Sequence, residues 1–263
     1  MDSELGGAVA GAPADFRILT PANWYVLDLN PATRTGSIAR LVERRFGPTD
    51  DPRLVQARRE LTALLRGAAR DAADNGAVYA ALMDALVDGT ALSASLLVVV
   101  GPAPLDADGN AVTDPAGLSA SLLAAELAGV AEAAIAGDGP GGPVAVELTA
   151  PPPGAGWPAA QDGADAADGA DAADGADAAG RAEIVELPAG PAVRLRRRTD
   201  SGLAGSTGET AAAAETQYFV PIPASGRMLV LTFATPNIGF RGEFEELFDR
   251  MAETLDWQWE PAT

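Results

Sequence analysis

Three arginines, Arg194, Arg196 and Arg198, occupy alternate positions, so they share one face of a strand with Arg197 turned the other way. Such a row can clamp the carboxylates of a partner, and it can equally be taken up by acids on a neighbouring strand, Glu183 first among them. Glu245, Glu246 and Asp249 lie about one helical turn apart near the C-terminus. That spacing suits a hard cation or a shared proton, and it also suits the wet face of an amphipathic helix. Asp106-Ala-Asp-Gly-Asn-Ala-Val-Thr-Asp114 is oxygen-rich like a calcium loop. Its glycine is at the fourth position, not the sixth, and Gly117 falls where a bidentate Glu is required, so a tight turn explains it equally well. Gly137-Asp-Gly-Pro-Gly-Gly142 fits the spacing of a dinucleotide fingerprint, but Pro140 would stop the helix that motif needs, and the stretch reads as a helix-terminating loop. Ser201-Gly-Leu-Ala-Gly-Ser-Thr-Gly208 could offer amides to an anion, though without a lysine it reads as a loop between strands.

The missing residues narrow the chemistry further. All 18 basic residues are Arg, and the 263-residue chain has no Lys, His or Cys. Zinc sites of the N/S type, haem and iron–sulfur ligation, imidazole bases, Schiff bases and the Walker lysine are excluded with them. Carboxylates, arginines and backbone amides remain. No catalytic residue, no metal site and no cofactor is assigned from the sequence, and the chain is expected not to be an enzyme.

Acidic residues number 37, giving a formal charge of −19. That balance opposes nucleic acid and anionic membrane surfaces as partners. The longest apolar run, Ala91 to Val100, is too short to span a bilayer, and Met1 to Pro13 lack a secretory pattern, so a cytoplasmic location is expected. The Ala, Gly, Pro, Arg and Asp bias points to a high-GC genome such as an actinobacterium's.

These residues must be positioned by elements that the pattern also marks. Two short strands flank the Pro21-Ala-Asn23 turn. A helix is expected over Ser37–Phe46, and a second from Asp50 or Asp51 as N-cap with Pro52 behind it, its Leu54, Ala57, Leu61, Leu64 and Leu65 on one face, ending at Asn75-Gly76. Residues 77–87 and 90–100 read as strands joined by Asp88-Gly89, with a helix over 77–86 as the competing reading. A helix is expected from Pro115 to Ala136 and a strand over Val144–Thr149.

The Gly-Ala-Asp-Ala-Ala-Asp repeats between Gln161 and Asp177 contain no large apolar side chain, so an acidic linker is expected over 151–180. Two hairpins follow: Ala182–Leu187 with Ala192–Arg198, setting Glu183 opposite Arg196, and Gln217–Ile222 with Met228–Ala234. Tyr218-Phe-Val and Leu229-Val-Leu-Thr-Phe233 are apolar at consecutive positions, which demands cover on both faces of the sheet. A last helix over Phe240–Leu255 sets Phe244, Leu247, Phe248, Met251 and Leu255 inward and Glu243, Glu245, Glu246, Asp249 and Glu253 outward. Burial of those five side chains contributes on the order of 10 kcal/mol before entropy.

The opening Phe16-x-x-x-x-Pro21-x-x-Trp24, the phrase Glu186-Leu-Pro-Ala-Gly-Pro-Ala-Val-Arg194, and Phe219-Val-Pro-Ile-Pro with Leu229-Val-Leu-Thr-Phe-Ala-Thr-Pro236 and the last helix resemble the PsbP-like α/β sandwich family. The likeness covers residues 15–29 and 182–257, and the Glu186 phrase is of the kind seen in actinobacterial members. The resemblance implies an antiparallel sheet with helices on both faces and a non-enzymatic binding or assembly role, with no catalytic motif to carry over. The missing secretion signal and the acidic insertion depart from the family and weigh against its photosynthetic and lipoprotein roles.

The expected organisation is therefore a flexible N-terminus over 1–14, one α+β sandwich domain built from 15–150 and 181–259, and the acidic insertion between. The expected role is a cytoplasmic protein-binding or accessory factor, working near a secretion or assembly system, with Arg194, Arg196, Arg198 and Trp24 as its partner-binding residues. The rivals are a carboxylate-only metal-dependent enzyme and a small-ligand binder with a pocket near Trp24 and Trp257.

Overall fold

The computed structural model describes residues 12–48, 50–122, 181–201 and 211–259. The expected strand at Val144–Thr149, the rest of the Pro115–Ala136 helix, the glycine-rich stretches at 137–142 and 202–208, and the acidic repeats lie outside the described residues.

The chain opens with β1 (Asp15–Arg17) and β2 (Trp24–Val26), then α1 (Arg34–Phe46) and α2 (Pro52–Asp74). Asp51 caps α2 by accepting from the Arg53 amide, Pro52 fills the first turn, where a missing N–H costs nothing, and Asn75 ends the helix. The long hairpin β3 (Ala77–Val87) and β4 (Thr90–Pro102) follows. The helical alternative over 77–86 is thereby overturned. Asp88 and Gly89 both take positive φ, 49° and 83°, the twist a two-residue hairpin requires. Helix α3 is described from 115 to 122. Then come β5 (Arg181–Leu187), β6 (Gly190–Ser201), β7 (Ala211–Ile222), β8 (Arg227–Thr235), a 3-10 turn at Ile238–Phe240, α4 (Arg241–Ala252) and β9 (Asp256–Gln258).

Seven strands form one antiparallel sheet in the order β2-β3-β4-β8-β7-β6-β5, and β1 pairs separately with β9. The contact between β4 and β8 joins the parts of the chain that precede and follow the acidic repeats. Consecutive apolar residues are buried on both sides, as the sequence required. Leu96, Val98, Tyr218, Leu229, Leu231 and Phe233 face α4 with Phe244, Phe248 and Met251. On the opposite face α1 and α2 pack Ile38, Val42, Leu65 and Ala69 against Ala80 and Leu97. Leu118 of α3 joins Val193 and Phe219 on that same face farther along. The fold is an α+β sandwich with helices on both faces.

Two expectations change in detail. The first turn of α2 is loosely seated, with Leu54 exposed, and the buried stripe is Leu65, Ala68, Ala69 and Ala72. The β5–β6 hairpin turns on Pro188-Ala189 alone, with Leu187 opposite Gly190, so Glu183 faces Arg194 instead of Arg196. Gly190 adopts φ 118°, which lets the strand begin two residues earlier than a four-residue turn would allow. The shift is by two positions, so each side chain keeps its face.

Candidate functional site

The alternating arginines of β6 lie on the face covered by α4, and two of the five acids expected on the wet side of that helix, Glu245 and Asp249, turn inward to meet them. Arg194 Nη1 is 2.8 Å and Arg196 Nη2 is 2.7 Å from Asp249 Oδ2. Arg194 also donates to Glu183 of β5, and Arg181 Nε approaches the other oxygen of that carboxylate at 2.7 Å. Arg196 Nε stands 3.5 Å from Glu245 Oε2, and Arg241 Nε is 2.6 Å from Glu245 Oε1. Tyr218, the β7 neighbour of Arg194, donates its hydroxyl to the second oxygen of Asp249. Two strands, β6 and β7, thus converge on the Asp249 carboxylate of α4, and β5 joins the network through Glu183.

Position on the helix explains the inversion. Glu245 and Asp249 each follow a buried phenylalanine, Phe244 and Phe248, so they flank the apolar stripe next to the sheet, whereas Glu243, Glu246 and Glu253 are exposed. The electrostatics follow from the contacts. The hydrogen bond from Arg194 holds the Glu183 carboxyl below its ordinary value despite partial burial. Burial disfavours the Arg194 cation, but Glu183 and Asp249 outweigh it and raise its pKa. Burial, reinforced by Asp249, drives the Tyr218 hydroxyl far upward, so it remains a donor. On the opposite face Arg197 Nη2 meets Glu215 Oε1 at 2.6 Å in a second, more buried pair.

The sequence-derived site residues therefore separate. Arg194 and Arg196 come together beneath α4, where Glu183, Glu245 and Asp249 already pair with them. Arg198 is exposed at the end of the stripe, while Trp24 is buried in the sheet core and presents no surface to a partner. Trp257 donates Nε1 to the Ala189 carbonyl at 2.7 Å. The Asp106 loop is a closed turn, its carboxylate accepting from the Asp108 and Asn110 amides. Among the described residues no three acids are placed to hold a metal. Sequence reasoning missed Tyr218 as a member of the network; its signal was a lone tyrosine on an apolar strand with its hydroxyl needing a buried partner.

A groove of about 550 Å³ opens at the turn end of the sheet, lined by Thr113, Pro191, Pro221, Ile222, Pro223 and Ser225 among others. Its origin is legible in the ladder. The β6–β7 pairing ends at Val193 and Phe219, and two positions farther out in the same register stand Pro191 and Pro221, neither of which has an N–H to donate. Comparison with protein-family models, curated proteins and solved structures finds no match for the chain.

The two surroundings differ in chemistry. Beneath α4, every carboxylate of the network accepts from an arginine, an arrangement that fixes the helix in one position. The groove is bordered by Ala, Gly, Pro, Ile, Thr and Ser, with no ionisable side chain in its lining. It can exclude water from an apolar group and offer it backbone and hydroxyl hydrogen bonds. No helix among the described residues is long and apolar enough to cross a membrane.

Proposed function

We propose that the chain is a non-catalytic accessory factor that binds another protein in the cytoplasm, beside a secretion or assembly system; the PsbP-like resemblance implies the non-enzymatic binding or assembly role. The groove between the hairpin turns carries this reading: it is built from prolines and small residues, and its lining holds no acid, base or nucleophile tuned for turnover. The ion-paired state of the inward acids supports it, since those carboxylates serve to hold α4 down. Burial of an apolar side chain of the partner in the groove is the expected mode of contact.

The test is affinity purification from the native host with the wild-type chain and with Ala111→Trp, which fills the groove from its rim. A protein retained by the wild type and lost from the variant supports the proposal. Identical recovery with both removes the groove from it. Turnover of a substrate that disappears in Glu246→Ala, a change at an exposed position, would overturn the non-catalytic reading. A small apolar ligand is the second reading, favoured by the groove's volume. Because Trp257 is bonded to Ala189 of the lining, metabolite-dependent quenching of Trp fluorescence would identify it.

A further inference from the structure

The seven-residue strand β5 closes one side of the main sheet, and among the described residues nothing pairs with its outer edge. The opposite side ends in β2, three residues long and so nearly blunt. Apart from its charged residues, the β5 edge has none of the usual protections. It pairs with β6 without a register break, contains no proline or lysine, and exposes Ile184 by 52% at its centre. Leu187 and Gly190 close the two-residue turn as a hydrogen-bonded pair, so the odd-numbered residues of β5 bond to β6 and the backbone groups of Ala182, Ile184 and Glu186 point outward. The strand also carries a charge toward each end: Arg181, whose side chain is 81% exposed, and the exposed Glu186.

We infer that the outer edge of β5 takes an extended segment of a partner protein as an eighth, antiparallel strand, with an apolar residue opposite Ile184, a cation opposite Glu186 and a carboxylate opposite Arg181. This rests on the protein-binding reading above and names its surface. Backbone bonds supply affinity in such an addition, and alternate side chains supply selection. A second copy of this chain fits the edge poorly. A two-fold pairing about Ile184 sets Glu186 against Ala182 without a counter-ion and Arg181 against Leu187 with no carboxylate beyond its own Glu183, and two bodies of formal charge −19 repel. The site also adjoins the groove, because the register partner of Glu186 is Pro191 of the groove lining.

The experiment titrates the full chain, labelled for NMR, with the capped heptapeptide Thr-Lys-Thr-Val-Thr-Val-Glu and with its charge-swapped form Thr-Glu-Thr-Val-Thr-Val-Lys. The expected result is saturable binding of the first with protection of the Ala182, Ile184 and Glu186 amides, and roughly tenfold weaker binding of the second. Glu186→Lys should narrow or reverse that preference, and Ile184→Pro, which removes an outward N–H and leaves the β6 ladder intact, should abolish protection. Absence of binding by either peptide at millimolar concentration, or equal binding of both, overturns the inference. Protection of the same amides without peptide, with a doubled mass in solution, also overturns it in favour of a second copy. If the peptide fails while the groove variant still loses a host protein, the edge assignment falls and the protein-binding reading stands.

Discussion

The Asp249 carboxylate of α4 lies 2.8 Å from the Arg194 guanidinium of β6, and the same Asp249 oxygen takes Arg196 at 2.7 Å. One helix acid thereby bridges two strand cations that sit two residues apart, and Tyr218 occupies its remaining oxygen. Removing it takes the shared acceptor from two part-buried guanidinium groups and from the fully buried Tyr218 hydroxyl at once. Asp249→Ala should therefore destabilise the fold by about 2–4 kcal/mol, read from the denaturant midpoint. In a double-mutant cycle with Tyr218→Phe, a coupling of at least about 0.5 kcal/mol is expected. Strict additivity would mean that the two side chains act independently.

Acid should loosen this contact. The folded-state pKa of Glu183 lies below its ordinary value of 4.5, chiefly through the Arg194 hydrogen bond. Its contribution is thus fully present above that value and is lost as pH falls through the lower, folded one. The wild type should lose more stability than Glu183→Gln between about pH 5 and pH 3, measured by chemical denaturation across the range. Parallel curves would contradict the assignment.

Phe248 stacks on Phe233 with ring centroids 4.9 Å apart and is 1% exposed. Phe248→Ala should cost about 3–5 kcal/mol, because the cavity would be walled by a sheet that cannot collapse into it. An unfolding midpoint within error of the wild type would show that α4 is not docked as described.

Gly89 has φ 83° and nothing within 4 Å of where a Cβ would stand, so only its backbone conformation resists substitution. Gly89→Ala should cost roughly 1–2 kcal/mol without changing the core. Gly89→Asn should recover part of that loss, since Asn tolerates the left-handed region better. If Ala and Asn behave alike, the hairpin does not depend on that conformation.

Much of the architecture was legible because its causes are local. Asp88-Gly89 has to turn tightly, Asp51-Pro52 has to begin a helix, and Tyr218-Phe219-Val220 cannot leave either face of a strand wet. The alternation of Arg194, Arg196 and Arg198 also placed them on a common face. What lies over that face was not local information. The Pro188-Ala189 turn could close on two residues or four, and only the packed sheet selected the shorter form, which gave Glu183 to Arg194. Asp249 reads the same in sequence whether it faces water or the sheet. Its role depends on where Phe244 and Phe248 seat the helix, 55 residues along the chain from the arginine it meets. Trp24, expected among the partner-binding residues, is buried by tertiary packing beside Met83. The sequence therefore determined the elements and the two-sided burial, because backbone geometry and hydrophobic periodicity act over a few residues. The tertiary structure decided which charges meet, because an ion pair depends on distances that no short segment sets.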